Sequence, residues 1–406
     1  VAQNRVVLIN GQLVLPDRLL AGQALYVAGD KLAAIGAQDD MPGDVTRLDV
    51  GGRLITPGLV DLHIHGAQGA TFNEPSEAAF GCVLAAAAAA GVTSVLATTA
   101  TAPLEQLEAC LATAARWMQR PGRGANLLGV HVEGPYFAAS QAGAQDPAHL
   151  RVPTDRAYER LLAYAPIIRI FTFAPELADA DRLTECLVAL GIVPAAGHSA
   201  AREEDVAPLL ALGLRHLIHI WSGQSSTVRE GPWRKPGLLE VSLTAEGVTV
   251  EMIGDGKHLP ATLMKLAYRA IGAERLCLIS DATSGAGLPD GAHFRMGEME
   301  YVVRDGVGML LDFTAFAGST TLLSKMVPIV SAAVGMPLYE AVRMASLTPA
   351  RVIGIDTHKG SLTPGKDADL VVFEEDFQPW RVMIGGAWYD HLHGYRHQQE
   401  DAKGRG

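Results

Sequence analysis

The run Leu59-Val60-Asp61-Leu62-His63-Ile64-His65 is apolar apart from one aspartate and two histidines, and Gly66 closes it. Its length and composition suit a buried β-strand. Seven further runs of this kind follow: Val92–Thr99, Leu127–Glu133, Ile167–Phe173, Ile192–His198, Leu214–Ile220, Val248–Ile253 and Leu276–Asp281. Helical patterns separate most of them, over Ser76–Ala90, Glu105–Gln119, Thr154–Tyr164 and Ala180–Leu190. Eight buried strands with helical connections predict an α/β fold, a (β/α)8 TIM-like barrel. No helix is evident in Trp221–Glu240, and residues 290–313 read as an inserted hairpin turning at Asp305-Gly306.

Outside this stretch the texture changes. Val6–Ile9, Gln12–Leu15, Ala24–Ala28 and Leu32–Ile35 read as short strands, as do Asp369–Phe373 and Arg381–Ile384 around a Gly385-Gly386 turn. Neither end has enough strands for a stable sheet of its own. The expected organisation is therefore a small β-sandwich domain built from residues 1–52 and 360–406, with the barrel occupying 53–359.

Composition narrows the function. The 406 residues are 49% hydrophobic, and 33 basic against 44 acidic side chains give a net charge of −11. An acidic chain lacks the basic footprint of a nucleic-acid or anionic-membrane binder. The uncharged run Cys82–Leu104 is long enough to suggest a membrane span. Gly91 interrupts it and threonines follow, so a buried helix and a buried strand are the better parse. The N-terminus lacks the pattern of a signal peptide. Cys82, Cys110, Cys186 and Cys277 lie far apart with no C-x-x-C pair, which fits reduced thiols in a cytoplasmic protein.

In such a barrel the active site lies at the C-terminal ends of the strands. Reactive side chains gather there: Asp61, His63 and His65 on the first strand, His131 and Glu133 on the third, and His198 on the fifth. His219 is on the sixth, His258 follows the seventh, and Asp281 ends the eighth. Alternate strand residues share a face, so His63 and His65 both face the barrel axis and can share one ion. Asp61 lies on that face too, placed to orient a ligand. An imidazole and carboxylate set suits zinc or ferrous iron. Glu133 ends an apolar strand, where a carboxylate is seldom buried unless paired or ligating. His131 lies deeper and reads as a hydrogen-bonded core residue. His216 and His219 fall on opposite strand faces, so His219 is expected inward and His216 structural. His149, His293, His358, His391, His393 and His397 are expected in loops or tails, solvated.

The segment Thr56-Pro57-Gly58-Leu59-Val60-Asp61-Leu62-His63-Ile64-His65-Gly66 resembles the first-strand motif of the amidohydrolase superfamily. His131–Pro135, Thr172–Glu176, Gly197-His198-Ser199, Asp255-Gly256-Lys257-His258 and Ser280-Asp281-Ala282-Thr283 resemble its N-acetylglucosamine-6-phosphate deacetylases, as does Gly360–Asp369. The resemblance implies one metal at Glu133, His198 and His219, with a second ion at His63 and His65. It implies that Asp281 is both the catalytic acid/base and a metal contact. It makes His258 a contact to the sugar or its phosphate, and Arg229 an arginine that reaches phosphate across a homodimer interface. Three segments depart from the family pattern: Ser222 in Ile218–Gln224 replaces an asparagine beside Gly223, Gln145 replaces a histidine of some members, and Arg229–Gly237 is expanded. All three lie in loops facing the substrate.

The implied reaction is removal of acetate from an N-acetylated amino-sugar phosphate, foremost N-acetylglucosamine 6-phosphate. Another N-acyl amino sugar, such as N-acetylgalactosamine 6-phosphate, or another N-acyl amine is the alternative. Cyclic-amide hydrolases of the superfamily usually bridge two metals with a carboxylated lysine, and no lysine occurs at these strand ends. A metal- or sugar-binding protein without catalysis is a third reading, and Asp281 argues against it.

Overall fold

In a computed structural model the chain is described over residues 5–389. Eight parallel strands form one sheet in unbroken sequence order: β1 Leu59–Ile64, β2 Val92–Thr99, β3 Asn126–Glu133, β4 Ile168–Phe173, β5 Val193–Ala196, β6 His216–Leu217, β7 Thr249–Ile253 and β8 Leu276–Ile279. The ring closes where Asp281 N donates to His63 O (2.8 Å) and His65 N to Ala282 O (2.8 Å). The fold is the expected TIM-like barrel. Side chains alternate: Val130 and Val132 of β3 and Phe171 and Phe173 of β4 join the large core beneath the helices. Their neighbours His131, Glu133, Ile170 and Thr172 are equally buried on the inner face.

The helices follow the sequence closely where they are long. Ser76 caps Glu77–Ala89 by accepting from Ala79 N, and Gly91, at φ +83°, ends the turn into β2. No helix among the described residues is long and apolar enough to cross a membrane. The expected helix at Thr154–Tyr164 shrinks to Tyr158–Leu162 after a 3-10 turn. Between β6 and β7 the chain forms a hairpin, Val228–Glu230 with Trp233–Lys235, and then the short helix Leu238–Thr244. That helix spans too few turns to show a periodicity. The inserted hairpin is larger than expected, a four-stranded sheet of His293–Met296, Met299–Arg304, Val307–Leu310 and Phe316–Ser319.

Both chain ends meet beside the barrel. Arg5–Ile9, Ala24–Ala28, Lys31–Gly36 and Thr46–Asp49 make one sheet. Gln12–Val14, Leu19–Ala21, Leu54–Pro57, Leu370–Phe373, Pro379–Ile384 and Ala387–Tyr389 make the other. Leu8 and Val27 from the first sheet and Leu13, Ile55, Val372 and Met383 from the second share one core. Lys31 and Asp367 tie the ends together at 2.6 Å.

Candidate active site

The strands deliver six nitrogen and oxygen atoms to one point at the C-terminal mouth of the barrel. Glu133 Oε1 lies 3.2 Å from His198 Nε2, 3.1 Å from His219 Nε2 and 3.5 Å from His63 Nε2. His65 Nε2 lies 3.3 Å from His63 Nε2 and 3.3 Å from Asp281 Oδ1. Backbone geometry aims several of these groups. His198, His219 and Asp281 all have positive φ (46°, 21° and 45°), so each leaves its strand's ladder and turns over the mouth. Gly223 must stay a glycine, because a Cβ there would lie 2.9 Å from His198 Nδ1 at φ +57°.

Each remaining imidazole nitrogen is held, with one exception. His198 Nδ1 lies 2.8 Å from Gln141 O, His219 Nδ1 3.0 Å from Ser222 O, and His63 Nδ1 2.8 Å from Glu251 Oε2. A carbonyl or carboxylate accepts there, which fixes Nε2 as the nitrogen facing the cluster: protonated it donates to Glu133, and deprotonated it offers a lone pair to a cation. His65 Nδ1 is buried without a partner. Burial alone would raise the Glu133 carboxyl, but His63, His198 and His219 hold it well below the usual carboxylate range. Asp281 is lowered too, by His65, His63 and His219 against its burial. His131, buried beside His63, is pushed down to about 3 and stays neutral between Leu62 O and Thr172 Oγ1.

The cluster floors a cavity of about 330 Å³. Gln145, Ser222, Gly223 and His258 line it, as do Met296, Ala315 and Phe316 from the inserted sheet. Asp255 Oδ2 lies 2.8 Å from His258 Nδ1 and accepts from Ser319 Oγ, so His258 is braced from behind. Gln145 is committed on both sides: its amide donates to Glu133 Oε2 (2.5 Å) and accepts from Thr101 N (2.7 Å). Arg229 is not part of this cavity. It sits exposed on the Val228–Lys235 hairpin, with Nε donating to Gly231 O.

Two expectations need correction. His216 and His219 both point inward: the β6 ladder stops at Leu217, and the turn at His219 breaks the alternation that separated them. His216 Nε2 reaches Glu251 Oε1 (2.9 Å) inside the barrel. Asp61 does not orient an imidazole. A residue two positions along a strand is roughly 6.6 Å away, and the short Asp61 side chain instead accepts from the backbone N–H of His63 and Ser280. Burial pushes its carboxyl up to about 6. Glu251 is the functional candidate that the sequence reading missed. Its signal was a lone acid inside the strand Thr249-Val250-Glu251-Met252-Ile253. Of the remaining histidines, His293 lies on a strand near Glu300, while His391, His393 and His397 fall outside the described residues.

Residues 54–183 and 245–389 match the amidohydrolase family. The chain belongs to that family. It is 32% identical to N-acetylgalactosamine-6-phosphate deacetylase of Escherichia coli O157:H7 over 92% of this chain and 97% of that protein. It is 33% identical to N-acetylglucosamine-6-phosphate deacetylase of Vibrio furnissii, over 82% of each. Among solved structures, the Pasteurella multocida N-acetylglucosamine-6-phosphate deacetylase superposes with a TM-score of 0.88 at 27% identity, over 95% of this chain and 99% of that one. The Mycobacterium smegmatis D267A deacetylase, solved with N-acetyl-D-glucosamine 6-phosphate, gives 0.87 at 30% identity over the same shares. Within the family, the chain belongs with the amino-sugar-phosphate deacetylases.

Proposed function

We propose that this chain is a metal-dependent hydrolase that removes the acetyl group from an N-acetyl amino-sugar 6-phosphate. N-acetylglucosamine 6-phosphate is the first candidate and N-acetylgalactosamine 6-phosphate the second, since relatives of similar identity carry each name. The observation that carries the reading is the convergence of Glu133, four histidines and Asp281 on the floor of a cavity sized for a small molecule.

The donor set fits a divalent transition metal, zinc or iron. Glu133 and Glu251 are buried carboxylates and Asp281 a largely buried one, and their ion-pair partners among the described residues are all histidines. Buried anions need a compensating cation. Glu133, His198 and His219 would hold one ion, and His63 and His65 a second. A bound cation would polarise the acetyl carbonyl and acidify water. Asp281, kept ionised by its histidine neighbours, takes the proton from the attacking water. The C–N bond breaks, the acetyl carbon leaves as acetate, and Asp281 returns the proton to the amine. His258, braced by Asp255, holds the sugar, and the Gln145, Ser222 and Gly223 loops fix its position.

The same reading extends to the assembly: a cytoplasmic homodimer, with a sandwich domain of residues 1–52 and 360–406 beside a 53–359 barrel segment whose first strand, Leu54–Pro57, pairs into the sandwich. Four unpaired cysteines support the compartment. Support for the dimer comes from the exposed Arg229 and from Trp233, itself 72% exposed, on one hairpin clear of the chain's own cavity. The test is acetate release from both 6-phosphates and from the unphosphorylated sugars, before and after chelation. Release that needs metal and prefers a 6-phosphate is expected. Metal-independent release, or none from any of them, would reject the assignment.

A further inference from the structure

Beneath His63 lie two groups, Glu251 and His216, to which the reaction described above gives no role. Glu251, His216 and His63 are each wholly buried. Glu251 Oε1 lies 2.9 Å from His216 Nε2, and Oε2 lies 2.8 Å from His63 Nδ1. His216 Nδ1 is in turn 2.7 Å from Thr249 Oγ1. Both carboxylate oxygens are therefore engaged by imidazoles from two other strands, β6 and β1. Nothing else beside them asks for a charge: His131, packed edge-on against His63, has both ring nitrogens satisfied by Leu62 O and Thr172 Oγ1.

A carboxylate is a costly way to fill a barrel interior unless it acts on a neighbour. Here it fixes the tautomer and the ring plane of His63. With Nδ1–H donated downward, Nε2 faces upward, 3.3 Å from His65 Nε2, 3.5 Å from Glu133 Oε1 and 3.6 Å from Asp281 Oδ1. A carboxylate behind a ligating imidazole is the arrangement that raises ligand basicity and metal affinity. We infer that Glu251, braced by His216, is the positioning residue of His63, and that it commits the H-x-H pair to holding its own ion next to the one at Glu133, His198 and His219. The inference rests on the metal reading proposed above and deepens it, because the imidazoles of His198 and His219 are oriented by backbone carbonyls, and His219 meets Glu251 only through its backbone N–H, 3.4 Å from Oε2.

The difference gives a selective test. Metal-stripped full-length protein is titrated calorimetrically with Zn²⁺ alone, and His63→Ala marks which equivalent belongs to the H-x-H pair. Wild type is expected to take up two equivalents. Glu251→Gln keeps the size and an acceptor oxygen but removes the charge, and should weaken the H-x-H equivalent about 10–100-fold. The other equivalent should keep its affinity. His216→Gln, which leaves the carboxylate in place but frees one oxygen, should weaken the same equivalent by less, and stands in if Glu251→Gln does not fold. A single equivalent in wild type, an unaltered H-x-H equivalent in a folded variant, or equal loss at both sites would overturn the inference. No uptake of metal by the wild type would instead overturn the metal reading beneath it.

Discussion

The floor and the rim of the cavity are built in different ways. On the floor, His63, His198, His219 and Glu133 come from different barrel strands or their ends, and each is held by at least two partners. On the rim, Met296, Ala315 and Phe316 come from the inserted sheet, and Arg229 stands off on an exposed hairpin. No lysine or arginine lines the cavity among the described residues. On the proposed reading, the floor therefore brings together within one chain the metal donors and the acid/base that bond cleavage requires. The rim does not contain the cation that a phosphate requires. Chemistry and substrate selection are separable here, and mutations should separate them.

The largest effect is expected on the floor. Asp281→Asn leaves the other five donor atoms in place but can neither take nor return a proton. It should lower kcat about 10²–10⁴-fold while metal content by elemental analysis stays close to wild type. A variant with near wild-type kcat would assign the proton transfer to another group.

If Arg229 reaches a partner's cavity across the proposed dimer, Arg229→Ala should raise KM for the 6-phosphorylated sugar about 10–100-fold, the worth of a charge-assisted hydrogen bond of roughly 1.5–3 kcal/mol. It should hardly change KM for the unphosphorylated sugar. Equal effects on both would remove Arg229 from phosphate recognition and leave the deacetylation intact.

Gln145 lies between the two regions, lining the cavity while its amide serves Glu133 and Thr101. Gln145→Ala leaves a buried carboxylate oxygen and a buried N–H without their partner, so it should destabilise the fold by about 1–3 kcal/mol in chemical unfolding. An unchanged midpoint would mean that water replaces both contacts. At the small end, Trp233→Ala on the hairpin should change the unfolding free energy of the chain by less than about 0.5 kcal/mol. A larger loss would show that the hairpin is part of the stable fold and not an appendage.

The same contrast explains what the sequence made legible. Strands buried on both faces read as apolar runs, and their polar terminal residues stood out against that background. His63, His65, Glu133, His198, His219 and Asp281 were therefore visible as a set. Residues that work from within a strand were harder to see. Glu251 sits mid-strand between Val250 and Met252, and its role depends on His63, 188 positions away. His216 was placed on the wrong face because regular alternation does not survive the backbone turn at His219. In the loops, the helix Leu238–Thr244 and the two extra strands of the inserted sheet are short, and their formation depends on packing more than on local pattern. The ends of the chain hid Leu19–Ala21, Thr46–Asp49 and Leu54–Pro57 for the same reason.

The central claim is that the floor holds a transition metal, and X-ray anomalous scattering tests it most directly. Crystals of active, unchelated protein would be measured on either side of the zinc and iron absorption edges. A strong anomalous peak bounded by Glu133 Oε1, His198 Nε2 and His219 Nε2 is expected, with a second beside His63 and His65. An active enzyme whose anomalous map is featureless at that point would contradict the account.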